Sequence, residues 1–116
     1  MRERGIDDGH IINISYTVYP TSLSRFYSAT KFAVRAITEG LRQEMREEKS
    51  HIRISSVSPA LVETQFAYRA LKDSERAKNL YTSVESIKPE DVADSVLHII
   101  TSPAHVEVLF YMNFFC

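Results

Sequence analysis

The chain has 116 residues, 44% hydrophobic and 25% charged, the profile of one globular domain or part of one. Fourteen Lys and Arg against fifteen Asp and Glu leave a net charge of −1, so no basic field calls for nucleic acid or an anionic membrane. The single cysteine, Cys116, excludes an internal disulfide and a cysteine-based metal site.

Arg2, Glu3, Arg4, Asp7 and Asp8 crowd the start of the chain, which leaves no apolar core for a signal peptide and makes the cytoplasm the expected location. Only Gly5, Gly9 and Gly40 are glycines, and no G-x-G-x-x-G or P-loop pattern occurs. Nothing in the sequence can therefore cradle a diphosphate through a glycine-rich turn.

In chain order, His10-Ile11-Ile12-Asn13-Ile14-Ser15 is a β-branched run that predicts a strand buried on both faces. Tyr16 to Arg25, with Pro20 and several hydroxyl residues, reads as a loop. From Phe26 the apolar residues Ala29, Ala33, Val34, Ile37, Leu41 and Met45 step by three or four, which predicts an amphipathic helix to about Lys49. Its charged second half, Arg42 to Lys49, reads as a solvated face with i,i+4 pairs.

His51 to Ser58 predicts a second strand ended by Pro59. Phe66 to Val84 predicts two short helices broken near Lys72-Asp73-Ser74, and Pro89, Glu90 and Asp91 open a further helix that Ser102-Pro103 stops. Val106 to Phe115 is nearly all apolar and could add a last strand; uncovered, it would be prone to aggregate. The alternation is that of an α/β fold with a parallel sheet and right-handed crossovers.

His10, His51, His98 and His105 show no metal-ligand spacing. Tyr27 and Lys31, four residues apart, would share one helix face. A cation near a phenol stabilises the phenolate and lowers the pKa from about 10 towards working pH, as a general acid or base requires. The spacing recurs at Tyr68 and Lys72. Only Tyr27 opens a long helix after an Ile-Ile-Asn-Ile-Ser strand and a loop, a helix that leads into a second strand ending Ser58-Pro59, whereas Tyr68 and Lys72 read as an ordinary surface pair.

Those blocks, with Tyr27-Ser28-Ala29-Thr30-Lys31, Thr38-Glu39-Gly40-Leu41-Arg42-Gln43-Glu44, Val62-Glu63-Thr64 and Lys88-Pro89-Glu90-Asp91-Val92-Ala93, make the chain resemble the short-chain dehydrogenase/reductase family, within it the NADP-dependent carbonyl and hydroxysteroid reductases. The resemblance implies the C-terminal half of a Rossmann-like doubly wound parallel sheet, with the N-terminal, glycine-rich cofactor-binding half absent and residues 1–116 forming part of one catalytic domain. It implies hydride transfer between NADP, or NAD, and a carbonyl or secondary alcohol, either a steroid or a small carbonyl compound.

On that resemblance Tyr27 would exchange a proton with the substrate oxygen, and Lys31 would lower its pKa and bind the nicotinamide ribose. Pro59, Ala60, Val62, Glu63, Thr64 and Gln65 would line the cofactor, and Gln65 to about Lys78 would form a variable lid. Ser15 stands at the family's catalytic serine or one residue from it, and a one-residue shift on a strand turns the side chain to the other face. Ala60 replaces the family's usual glycine. The expected partners are a second copy of the chain or a full-length relative. A non-catalytic chain packing on such relatives through the Tyr/Lys helix is the alternative.

Overall fold

A computed structural model of the chain describes residues 4–15 and 24–111. Its elements are β1 (His10–Ile14), α1 (Arg25–Glu47), β2 (Arg53–Ser58), α2 (Gln65–Leu71), α3 (Ser74–Ser83), α4 (Pro89–Thr101) and β3 (Leu109–Tyr111). The expected loop at 16–23 and the end of the chain at 112–116 lie outside the described residues.

The strands form a parallel sheet in the order β1-β2-β3, the arrangement predicted from strands separated by helical crossovers. Ile11 is in register with Ile54 and Val57 with Phe110. β2 is central and buried from Ile54 to Ser58. β1 corrects the expectation of a strand buried on both faces: it is half-buried and Ile14 is exposed, since among the described strands it pairs on one edge only.

Alternation along β2 assigns the two faces. Asn13, in register with Ser56, donates from its side-chain amide to Thr38 Oγ1 of α1 at 2.8 Å. Arg53, one step out of phase, donates to the Ser102 carbonyl at the end of α4 at 3.0 Å. Helices α1 and α4 therefore flank opposite faces of the sheet.

The apolar periodicity of α1 places the helix correctly and its inward face in part: Val34, Leu41 and Met45 are half-buried on the stripe that holds Thr38, whereas the rest of the predicted set turns outward. Ser28 and Thr38 are its buried residues, while Phe26 is 84% and Ile37 58% exposed, and Ala29 and Ala33 are exposed too. The face against the sheet is chosen by polar fits: Asn13 to Thr38, and Thr38 Oγ1 back to the Val34 carbonyl at 2.8 Å. The charged second half is likewise not wholly solvated. Arg42, with its side chain 11% exposed, reaches Glu107 ahead of β3, and Arg46 joins the same carboxylate at 2.9 Å.

The break predicted near Lys72 is present. Lys72 ends α2 in the left-handed region at φ 52° and Asp73 caps α3 by accepting from the Arg76 amide at 3.0 Å. Ala67, Ala77 and Tyr81 form a small core between α2 and α3, with Leu61 and Leu71 against it. At α4, Pro89 occupies the first turn and the Asp91 carboxylate accepts from the Lys88 amide at 2.8 Å. No helix among the described residues is long and apolar enough to cross a membrane.

Candidate active site

Tyr27 lies in the first turn of α1 and Lys31 one turn on, so helical geometry sends both side chains toward the C-terminal end of β1. Lys31 Nζ sits 5.8 Å from the Tyr27 ring centroid and donates to the Ile14 carbonyl at 3.0 Å. Between them and the segment after β2 opens a cleft of about 200 Å³, lined from β1 by Ile14 and Ser15 and from beyond β2 by Pro59, Ala60, Leu61, Val62, Thr64 and Phe66. The structure thus brings Tyr27, Lys31, Ser15, Pro59, Ala60, Val62 and Thr64 to one cavity.

Two expected residues turn elsewhere. The exposed Glu63 carboxylate pairs with Lys88, and Gln65 belongs with Arg69 and Ala70 on an adjoining surface hollow. The Glu63 pair serves the cleft indirectly, because it reinforces a parallel bridge between Val62 and Ile87. In that bridge Glu63 N–H donates to the Ile87 carbonyl and Ile87 N–H to the Leu61 carbonyl, both at 2.9 Å. The backbone groups of Val62 itself then point to the other side of the segment.

Ser15 continues the β1 register, its N–H donating to the Val57 carbonyl at 2.9 Å, and it is 3% exposed. Its hydroxyl shares a hydrogen bond with that of Ser58. The residue after it, Tyr16, lies outside the described residues.

The electrostatics differ from the expected lowering of the Tyr27 pKa. Burial pushes the phenol above its usual value of 10, with the Phe66 ring 5.4 Å from it, centroid to centroid, at a 43° tilt. The Lys31 ammonium addresses the Ile14 carbonyl and the ring, so desolvation dominates.

The second Tyr-x-x-x-Lys match is not a site of this kind. Tyr68 packs its ring 6.0 Å from Tyr81, and Lys72 is the left-handed residue that ends α2. Sequence reasoning missed Ile14 and Phe66 as cleft-lining residues, having placed Phe66 in helical spacing and within the variable lid but not against Tyr27. Its signal was its place two residues after the helix-capping Thr64, whose Oγ1 accepts from the Phe66 amide at 3.2 Å. Among the described residues, no three His, Cys, Asp or Glu side chains gather as a metal site would require.

Comparison with known proteins agrees with this geometry. The family model described as short chain dehydrogenase matches residues 2–75. The chain belongs to the short chain dehydrogenase family. Human dehydrogenase/reductase SDR family member 11 is 51% identical over 113 residues, covering 93% of this chain and 44% of that protein. Among solved structures, the closed form of serine dehydrogenase complexed with NADP+ superposes with a TM-score of 0.85 at 34% identity, over 95% of this chain and 45% of that one. A serine dehydrogenase from Escherichia coli gives 0.69 at 30% identity, over 97% and 42%. The chain spans less than half the length of these short chain dehydrogenase relatives, and its parallel α/β architecture is the Rossmann-like one that they share.

Proposed function

We propose that these residues form the catalytic wall of an NADP-dependent oxidoreductase that interconverts a small carbonyl compound and its secondary alcohol. They would correspond to the C-terminal half of a short chain dehydrogenase. The observation that carries this reading is the convergence of Tyr27, Lys31 and the Pro59–Thr64 segment on one cleft, together with a relative of known structure that binds NADP+.

The donor set fits the nicotinamide end of such a cofactor. An ammonium has three protons and Lys31 gives one to Ile14, which leaves two for ribose hydroxyls. Thr64 Oγ1 accepts from Phe66 and keeps its own proton to donate to a carboxamide or phosphate. The Val62 backbone, left over from the bridge to Ile87, supplies further groups. No glycine-rich turn is present for the diphosphate, so the fit covers one end only. When bound, the nicotinamide supplies hydride to the carbonyl carbon, or accepts it from the alcohol carbon.

Tyr27 is the general acid for reduction: its hydroxyl proton passes to the carbonyl oxygen as the carbon is reduced, and returns from the alcohol in oxidation. A raised pKa keeps that proton in place at neutral pH, and Lys31 offsets the cost of the phenolate left behind. Ser15 and Ser58 carry two hydroxyl protons and use one between them; the other can hold the substrate oxygen.

The test is titration of the chain with NADPH, followed by cofactor fluorescence, and then turnover of a ketone. Saturable binding that Tyr27→Phe retains, with turnover that it loses, supports the reading. No saturable binding at millimolar NADPH overturns it for this chain, and NADH binding the tighter would reverse the cofactor choice.

A second reading draws on the outward apolar stripe of α1, with Phe26, Ala29, Ala33 and Ile37 exposed. A non-catalytic chain packing on full-length relatives through α1 would bury that stripe. Co-purification with such a relative, lost in Ile37→Glu, supports it.

A further inference from the structure

Tyr81 is 8% exposed and belongs to α3, outside the cleft, yet its hydroxyl reaches the cleft's edge. It donates to the Thr64 carbonyl at 2.9 Å and lies 3.2 Å from the Ala67 N–H and 3.4 Å from the Thr64 N–H, both of which donate to it. Three backbone groups at the start of α2 thus share one phenol, two of them among the N–H groups that a helix start cannot satisfy internally. Phe66 sits between these anchor points, 54% exposed, with its ring on Tyr27.

The consequence concerns which molecules the cleft admits. With Phe66 held, it is walled by Ile14, Leu61, Val62 and Phe66 beside Tyr27, and Leu61 also packs against the core that contains Tyr81. Its volume of about 200 Å³ is below the roughly 300–1,000 Å³ of drug-sized pockets, so beside a nicotinamide it leaves room for the reacting end of one small compound. We infer that Tyr81 is the positioning residue of this site: its hydroxyl holds Phe66 against Tyr27, and that aromatic wall selects single-ring apolar carbonyl compounds over small polar ones. The inference rests on the reading that the cleft takes a carbonyl substrate.

The test uses the 116-residue chain labelled with ¹³C-tyrosine, without cofactor, with acetophenone and hydroxyacetone as probes. In the wild type, the Tyr27 ring signal is displaced by the Phe66 ring current, and acetophenone binds about tenfold more tightly than hydroxyacetone, the ratio an aromatic contact of this kind supplies. Tyr81→Phe keeps the ring and removes the hydroxyl; it is expected to abolish the displacement and most of the preference while leaving hydroxyacetone binding unchanged. A Tyr81→Phe chain that keeps both overturns the inference, because a purely structural Tyr81 would change the melting temperature alone.

Two measurements decide the matter if that variant does not fold. Phe66→Ala, at a half-exposed position, must lose the acetophenone preference, and retained preference overturns the selective wall. The Ala67 and Thr64 amides of the wild type must be protected from hydrogen exchange, and free exchange overturns the Tyr81 anchor. The arms also separate this inference from the oxidoreductase reading. NADPH binding with no preference between the ketones defeats the inference alone, whereas preference without NADPH binding defeats only the oxidoreductase.

Discussion

Glu107 accepts a hydrogen bond from Arg42 at 2.5 Å across 65 positions of sequence, and from Arg46 at 2.9 Å. The two contacts tie the C-terminal end of α1 to the segment that enters β3. Burial alone would raise the Glu107 carboxyl, but the hydrogen bonds and charges of the two arginines outweigh it and hold the group below its ordinary value of 4.5.

Glu107→Gln leaves the nearly buried Arg42 with only the exposed Glu39 carboxylate, 3.2 Å away, as counter-charge and is expected to cost about 1–2 kcal/mol at pH 7, less than a fully buried pair because Glu107 stays partly wet. A depressed carboxyl stabilises the fold above its unfolded pKa, and that contribution is lost as pH falls through the folded value. Urea midpoints of wild type and variant should therefore differ at pH 7 and converge towards pH 3.

His10 places Nε2 2.8 Å from Ser55 Oγ, and its Nδ1 is buried without a partner. Burial, aided by the Arg53 charge, pulls its pKa below 6.5. The neutral imidazole is the folded form, so stability is full above about pH 7 and declines as pH falls through 6.5 and below. Thermal melts from pH 7.5 to 5 should show this slope, and His10→Gln should flatten it.

Lys31→Met removes the bond to Ile14 and the cation beside Tyr27. About 1 kcal/mol of stability should go with the hydrogen bond. On the proposed oxidoreductase reading, ketone reduction should fall about 10²- to 10⁴-fold, the usual worth of general acid catalysis. A Lys31→Met chain with wild-type turnover would remove Lys31 from the catalytic assignment.

Lys72 pays for its left-handed φ of 52° with a steric cost that glycine avoids. Lys72→Gly is expected to raise stability by about 0.5–1 kcal/mol, after the unfolded chain's added freedom is deducted. Chemical denaturation checks the sign.

Phe26→Ser and Ile37→Ser alter outward residues of α1 and should leave monomer stability within about 0.5 kcal/mol of wild type. Were these two inward, as the sequence pattern had them, each would cost roughly 2–4 kcal/mol. Urea titration at low protein concentration separates the two.

That contrast marks where sequence reading succeeds here. The strands at His10 and Ile54, the break at Lys72 and the start at Pro89 were legible because each depends on local chemistry: β-branching, capping and the missing proline N–H. The Tyr27–Lys31 geometry was legible for the same reason, since one helical turn dictates it. The inward face of α1 was legible only at Val34, Leu41 and Met45, because Asn13 and Thr38, 25 positions apart, centre it, and apolar periodicity carries no record of a polar pair. Phe66 and Tyr81 were hidden likewise: an α3 phenol bonded to α2 backbone is a tertiary fact.

The central strand carries hydroxyls where most buried parallel strands carry methyls. Ser55 meets His10 on one face of the sheet and Ser58 meets Ser15 on the other. Sliding β1 by one residue along β2 would break both pairs at once and strand polar atoms inside, whereas a strand of valines and isoleucines would merely exchange one greasy neighbour for another. The serines of β2 thus work as keys that admit β1 at one offset, and that offset delivers the Ile14 carbonyl to Lys31.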